Sequence, residues 1–183
     1  MEIRKGTTRI AFVDEGSTVK VPRPTLIYKG FQSLTRLLMD SRPVFWKIVQ
    51  GNEHCTCSPL FNLQGLFANQ REGRHWHELR DIVVPTRSLL GGLLAIQPTT
   101  ADIAFSKGEP WNAMSERLYE EIFDANGQHT LQNPRNYGMH EGKVRIRDFG
   151  GLGIPQLLMK YQETFHAALA QLTEQVRGRV HCS

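Results

Sequence analysis

Two periods of hydrophobic and polar residues can be distinguished along this chain, one typical of strands and one typical of helices. Near the start, residues 8–14 and 17–21 are apolar and rich in β-forming side chains, and Glu15-Gly16 between them is typical of a turn. These two runs predict a β-hairpin whose second strand carries Lys20. The chain is therefore expected to begin with antiparallel strands.

Further along the chain, the two periods occur in separate blocks. β-rich runs at 81–85 and 92–97 predict a second hairpin, and alternating charged and apolar residues predict a strand over 143–147. Apolar residues three and four positions apart predict helices in four segments, which are 25–50, 59–80, 114–125 and 158–176. Because strands and helices are segregated along the chain, the pattern predicts an α+β fold.

Composition narrows the class of protein. The chain has 183 residues, of which 40% are hydrophobic, so it can form the core of one domain and is not a disordered protein. The excess of Lys and Arg over Asp and Glu, 22 − 18 = +4, permits an anionic ligand but is too small for a dedicated nucleic-acid binder. Three cysteines, no signal-peptide core and no apolar run long enough for a bilayer predict a cytoplasmic protein with no membrane partner.

The segment that follows residue 128 carries the most informative motif. A spacing of H-x-x-x-x-P-x-N is followed, after a predicted strand, by Asp148-Phe149-Gly150. The three residues of that spacing are His129, Pro134 and Asn136. A carboxylate and an amide oxygen brought together by a hairpin can hold Mg²⁺ against phosphates, because hard cations prefer oxygen ligands. The alternative is that Asp148 and Gly150 only end a strand, since both are common turn formers.

This motif resembles that of the protein-kinase-like superfamily, whose catalytic loop H-R-D-L-x-x-x-N precedes a hairpin and the tripeptide D-F-G. The resemblance implies a small β-rich N-lobe over residues 1–97, with an inserted segment at 25–58, and a truncated, mainly helical C-lobe over 98–183. It also implies that ATP and Mg²⁺ bind between the lobes, with Asn136 and Asp148 as metal ligands. Stripped-down proteins of this kind are familiar from bacteria and their phages.

Two charged residues of the N-terminal half match the same family. The strand that carries Lys20 resembles the kinase strand whose lysine contacts the α- and β-phosphates, and Glu72 in the predicted helix 59–80 would be its partner. A lysine on a half-buried strand needs such a carboxylate, because an unpaired buried ammonium is costly. The alternative for each residue is a solvated surface charge.

Two further segments are candidates for nucleotide contacts. Gly6, Thr7, Thr8 and Arg9 would form a turn that offers backbone N–H groups to phosphate, although the full G-x-G-x-x-G is absent. Residues 93–98 correspond to the kinase strand that leads to the adenine, which makes Ala95 and Gln97 candidates there. The alternative for the second segment is ordinary strand core.

One departure from the family concerns catalysis. Leu131 stands where the family has its catalytic aspartate, and a leucine cannot accept a proton from a substrate hydroxyl. His129 is the candidate substitute for the missing base, although its counterpart in kinases is mainly structural, and Gln132 is the candidate that would orient a substrate hydroxyl without deprotonating it. Two functions therefore stay open. One is a kinase-like protein that binds ATP, with weak or atypical phosphotransfer, and the other is an inactive pseudokinase that binds a host or cellular protein.

Two other clusters are rival sites. The first consists of zinc-type ligands, which are His54, Cys55, Cys57, His75 and His77. Their spacing is not that of a standard structural zinc site, and the alternative is partly buried thiols with surface histidines. The second is a set of basic residues before the D-F-G tripeptide, Arg135, Lys143, Arg145 and Arg147. Alternation predicts that the last three share one strand face, which is either solvated or in contact with an anionic substrate or nucleic acid.

Overall fold

The structure is a computed structural model that describes residues 1–40, 62–106, 109–110, 112–113 and 131–181. Its strands are β1 (Glu2–Lys5), β2 (Arg9–Val13), β3 (Ser17–Pro22), β4 (Arg87–Leu89), β5 (Leu94–Pro98), β6 (Tyr137–His140) and β7 (Lys143–Ile146). Its helices are α1 (Pro24–Asp40), α2 (Gln64–His75), α3 (Ile154–Lys160) and α4 (Gln162–His181). The α+β class predicted from the hydrophobic pattern is confirmed.

Five strands form one antiparallel sheet in the order β1-β2-β3-β5-β4. The first predicted hairpin is present as β2 and β3, and Ala11 lies directly opposite Lys20 in its register. On its other side β3 pairs with β5, where Lys20 lies opposite Ala95. The sequence pattern did not predict β1, whose residues are mostly exposed. Lys20 therefore lies on the central strand of the sheet.

Helix α2 packs against strands β3, β4 and β5. A Cβ on Gly73 would lie 2.3 Å from the Cβ of Ser88, so this close approach to β4 requires glycine. The predicted helix 59–80 is present from Gln64 to His75, and its expected start at Pro59 lies outside the described residues. Helix α1 begins one residue before the predicted helical segment 25–50 and covers the described part of that segment. The helix that carries Glu72 is thus held close to the sheet.

The second hairpin of the sheet is shifted from its predicted position. Residues 81–85 were expected to be its first strand, but the strand begins at Arg87. Ile82, Val83 and Val84 are fully buried, and Val83 makes only an isolated bridge to Ile146. These residues are buried beside Ile146 of β7, and they do not pair with the five-stranded sheet.

Strands β6 and β7 form a separate antiparallel pair, as the sequence predicts around residue 142. Both turn residues, Glu141 and Gly142, have positive φ, which is the backbone that type I′ hairpin turns require. The hairpin is tied to the preceding chain because Ile146 exchanges backbone hydrogen bonds with the segment 82–84. These bonds determine where the chain leaves β7 and enters Asp148-Phe149-Gly150.

The C-terminal half contributes most of the hydrophobic core. The predicted helix 158–176 spans two helices, because α3 ends before Tyr161 and α4 begins after it. Their buried side chains, among them Leu158 and Phe165, pack with Phe149 and Leu131 in one cluster. The predicted helix 114–125 lies outside the described residues. Within the part of the chain that the structure describes, no helix has the length and apolar character needed to cross a bilayer.

Candidate functional site

Lys20 and Glu72, which the sequence analysis paired, form a buried ion pair. The Nζ atom of Lys20 lies 3.0 Å from Oε2 of Glu72. Only 8% of the Lys20 side chain and none of the Glu72 side chain is exposed. Burial lowers the pKa of Lys20, because the charged ammonium loses water, although Glu72 opposes this effect. The alternative reading of both residues as solvated surface charges is wrong.

The same glutamate holds the backbone of the D-F-G tripeptide. Its Oε1 atom accepts hydrogen bonds from the backbone N–H of Phe149 at 3.3 Å and of Gly150 at 3.1 Å. A Cβ on Gly150 would lie 2.4 Å from the carbonyl oxygen of Ala68, so glycine is needed where the tripeptide meets α2. Helix α2 therefore positions the lysine of the sheet and the loop that follows β7 with a single carboxylate.

Arg9 completes this cluster. The sequence placed it at the end of the candidate phosphate turn, but no role was predicted for its side chain. Its Nη2 atom donates to Oε1 of Glu72 at 2.9 Å and also to Oδ1 of Asp148. Its Nη1 atom donates to Oδ1 of Asn69 at 3.0 Å. Burial alone would lower the pKa of Arg9, but the carboxylates of Asp148 and Glu72 outweigh it and raise the pKa. Arg9 is therefore a permanently charged, buried cation that joins two carboxylates.

The register of the first hairpin contains the signal that would have identified Arg9. Residues directly opposite each other in an antiparallel pair share a face, and so do residues two apart on one strand. Ala11 lies opposite Lys20, so Arg9 is on the same face as Lys20. Asn69 is likewise one helical turn before Glu72 and shares its side of α2. The sequence shows both relations only once the hairpin register and the buried side of the helix are known.

Asp148 is the member of the cluster that reaches solvent. Its side chain is 42% exposed, compared with 10% for Arg9. Burial acts to raise the pKa of Asp148, but the nearby charges of Arg9 and Lys20 outweigh it and lower the pKa. The carboxylate is therefore ionised at neutral pH. With two cations and two carboxylates, the cluster is charge-balanced (2 − 2 = 0) and open on the side of Asp148.

The backbones of the two predicted metal ligands, Asn136 and Asp148, lie close together in space. The backbone carbonyl of Asn136 accepts a hydrogen bond of 2.8 Å from the N–H of Arg147, the residue before Asp148. The carboxylate of Asp148, however, is bonded to Arg9, and Glu72 is fully engaged by its own donors. This arrangement disfavours Mg²⁺, because the guanidinium at Oδ1 of Asp148 already neutralises that carboxylate and repels a second cation. Magnesium binding stays a prediction.

The predicted phosphate turn connects β1 to β2 and leads directly into Arg9. The N–H of Gly6 is bonded to the carbonyl of Arg9 at 2.9 Å, which closes the turn around Thr7 and Thr8. The carbonyl of Thr8 accepts a hydrogen bond from the N–H of Arg23. The turn is therefore next to the cluster in sequence, and its Gly6 amide is already bonded within the hairpin.

The two adenine candidates lie on β5 and are both buried. Ala95 is fully buried beside Lys20 in the sheet. The side-chain oxygen of Gln97 accepts a hydrogen bond of 3.4 Å from the hydroxyl of Thr86, and Gln97 lies opposite Thr18. Both residues thus occupy the strand next to Lys20, and their role in binding a nucleotide stays a prediction.

The predicted catalytic residues are only partly described. His129 lies outside the described residues, and Gln132 is half-buried just after Leu131. Leu131 is fully buried in the hydrophobic core, and its carbonyl accepts a hydrogen bond of 2.7 Å from the hydroxyl of Tyr137. The position that holds an aspartate in kinases is therefore an apolar core position in this chain.

The expected basic face on β7 is not formed. Arg145 is buried, and its guanidinium donates to the backbone carbonyls of Arg80 and Val83. The half-buried Arg147 donates to the carbonyl of Arg135 at 2.7 Å and to Asp102 at 2.7 Å. Lys143 and Arg145 keep the predicted strand alternation. Arg145 and Arg147 bind other segments of the chain, however, so they do not form a solvated basic face.

The zinc-type residues lie only partly within the described part of the chain. Among the described residues, no group of three or more His, Cys, Asp or Glu side chains is arranged to hold a metal ion. His54, Cys55 and Cys57 lie outside those residues, whereas His77 stacks against Trp76.

A surface cavity of 480 Å³ lies between β3 and α1 and is lined by apolar residues that include Ile27, Tyr28 and Phe31.

Comparison with known proteins returns no relative. The chain matches no protein-family model, no curated protein and no solved structure.

Proposed function

We propose that this chain is a protein-kinase-like protein that binds ATP between the five-stranded sheet and the β6–β7 hairpin. The observation that carries the proposal is the buried ion pair of Lys20 and Glu72, with Glu72 also bonded to the backbone that follows Asp148. In kinases a lysine on the third strand pairs with a glutamate on the following helix, and the D-F-G aspartate faces the phosphates. The same residue types occur here in the same order on comparable elements.

Lys20 would supply the positive charge that contacts the α- and β-phosphates. Its flexible stem ends in a compact ammonium, which suits a phosphate oxygen, and Glu72 keeps that ammonium in place. Ala95 and Gln97 on the adjacent strand would lie toward the base. Phosphoryl transfer depends mainly on positioning and electrostatics, so a slow reaction is compatible with the absence of a carboxylate at Leu131.

An inactive pseudokinase that binds a host or cellular protein is the second candidate. Two observations favour it over an active enzyme. Leu131 is a fully buried core residue, so no general base takes the usual position, and Asp148 is bonded to Arg9. A scaffold needs the fold and its charge-balanced cluster but not phosphotransfer.

Calorimetric titration with ATP, with and without Mg²⁺, tests the first proposal. The unchanged chain should bind ATP, and Lys20→Met should weaken binding by about tenfold or more, because one charge-assisted contact is lost. The matched control is Lys143→Met on the exposed end of β7, which should bind as the unchanged chain does. Absence of ATP binding in both conditions, or equal binding by the two lysine variants, contradicts the proposal.

Labelled ATP separates the two candidates. Phosphate incorporation that disappears in the Lys20→Met variant supports an enzyme. ATP binding without incorporation, together with capture of one stoichiometric protein partner, supports the pseudokinase.

A further inference from the structure

We propose that Arg9 is the resident cation of this site, so that the chain binds the phosphates of a nucleotide without a divalent metal ion. This inference rests on the proposed function, because it concerns how the same cleft handles phosphate. Three contacts carry it. The guanidinium of Arg9 donates at 2.9 Å to Glu72, at 3.0 Å to Asn69, and also to Asp148.

Arg9 is held in place by partners from two other parts of the chain, and not by residues of its own strand. Asn69 and Glu72 belong to α2, and Asp148 follows β7, whereas Arg9 begins β2. Asn69 is itself fixed, because its amide group donates to the carbonyl of Gly92 at 2.9 Å. A side chain with this number of buried partners has one preferred position, so the positive charge is built into the fold.

A metal ion bound to Asp148 would neutralise its carboxylate, and the guanidinium of Arg9 already does so. In phosphate sites a cation screens the aspartate from the anionic ligand and attracts the phosphate oxygens. Arginine serves both purposes, since its planar group stays charged at all working pH values and has five N–H donors. Three of its contacts engage Asn69, Glu72 and Asp148, which leaves further donors for a phosphate oxygen.

The exposure of the cluster indicates where phosphate would enter. Asp148 is 42% exposed, whereas Lys20 and Arg9 lie behind it. A phosphate that binds on the side of Asp148 would be attracted by both buried cations, because Lys20 and Arg9 each contact Glu72. The guanidinium at Oδ1 of Asp148 neutralises that carboxylate and repels a divalent metal ion, so added Mg²⁺ should bring little gain in affinity.

The experiment compares ATP titrations in excess EDTA and in excess Mg²⁺. The unchanged chain should bind with similar affinity in both, within about twofold. Arg9→Gln should bind about tenfold or more weakly in EDTA, because one charge-assisted contact is lost, and should recover affinity when Mg²⁺ is added. Arg80→Gln is the matched control, because the Arg80 side chain is 76% exposed, and it should behave as the unchanged chain does.

Two results would overturn the inference. One is an unchanged chain whose ATP affinity falls about tenfold or more when EDTA replaces Mg²⁺. The other is Arg9→Gln that keeps metal-independent binding. If Arg9→Gln does not fold, Arg9→Lys replaces it: the shorter cation should keep binding independent of metal, and a new requirement for Mg²⁺ would contradict the inference.

A measurement without nucleotide separates this inference from the proposed function. Paramagnetic Mn²⁺ alone should leave the amide signals of residues 148–150 sharp in the unchanged chain and broaden them in Arg9→Gln. If the unchanged chain binds no ATP in either condition, the proposed function fails. The Mn²⁺ measurement then tests by itself whether Arg9 excludes a metal ion. Broadened signals in the unchanged chain would show that it does not.

Discussion

Glu72 is fully buried, and its two carboxylate oxygens accept four hydrogen bonds. Oε2 accepts from Lys20, and Oε1 accepts from Arg9 and from the backbone N–H groups of Phe149 and Gly150. A buried carboxylate is tolerated only when such donors replace water. This one side chain therefore joins β2, β3, α2 and the loop after β7.

Replacing this carboxylate should reduce stability strongly. Glu72→Gln keeps the shape but removes the charge, so Lys20 and Arg9 lose their shared buried partner. We expect the free energy of unfolding to fall by about 3–5 kcal/mol, measured by urea denaturation. Glu78→Gln is the control, because the Glu78 side chain is 61% exposed, and it should change stability by less than about 0.5 kcal/mol. Equal effects of the two substitutions would show that the Glu72 pair contributes nothing to folding.

At the scale of elements, the position of α2 against the sheet decides whether the site forms. The helix makes its closest approach at Gly73, where β4 leaves no room for a Cβ. If α2 moved outward, the carboxylate of Glu72 would leave Lys20 and the D-F-G backbone together. Gly73 is therefore as necessary for the site as Glu72.

Two glycine substitutions test this packing because they should have opposite signs. Gly73→Ala should destabilise the protein by about 1–3 kcal/mol, since the new methyl group would overlap Ser88. Gly178→Ala in α4 should stabilise by about 0.5–1 kcal/mol, because nothing lies within 4 Å of the new Cβ and alanine favours the helix. Thermal or urea unfolding measures both. Stabilisation by Gly73→Ala would mean that α2 does not touch β4 in solution.

At the scale of the whole molecule, Asp102 joins the first strand to the end of the last hairpin. Its carboxylate accepts two hydrogen bonds from Arg4 on β1, at 3.0 and 2.7 Å, and one from Arg147 at 2.7 Å. Arg147 is directly before Asp148, so this contact connects the edge of the sheet with the segment that enters the site. The hydrogen bonds from Arg4, with a smaller contribution from Arg147, lower the pKa of Asp102 to about 2.

This ion pair makes stability depend on pH in a defined window. An unfolded aspartate has a pKa of about 3.9, so the contribution of Asp102 is complete above about pH 4 and is lost as the pH falls toward about 2. The difference in unfolding free energy between the unchanged chain and Asp102→Asn should therefore shrink over that range. Because the Asp102 side chain is 58% exposed, added salt should reduce the same difference. A difference that stays constant with pH and salt would contradict the role of this contact.

The parts of the site that the sequence predicts are those that depend on local pattern. Strand alternation places Lys20 in a hairpin, and helical spacing places Glu72 in a helix. The hairpin before Asp148 follows from turn residues and alternation over a few positions. Such signals lie within one element, so they can be read without knowledge of the rest of the chain.

The sequence by itself determined the α+β class, and its resemblance to the kinase motifs named Lys20 and Glu72 as a pair. Only the tertiary structure decided that Arg9 joins them, since Arg9 and Asp148 are 139 positions apart and meet through the packing of three elements. It also decided that residues 82–84 are core and not part of the five-stranded sheet, and that Arg145 and Arg147 bind backbone carbonyls and Asp102. The physical reason is the same for each. Local periodicity indicates which side of an element is buried, whereas the partner of a buried charge depends on which distant segment packs against that side.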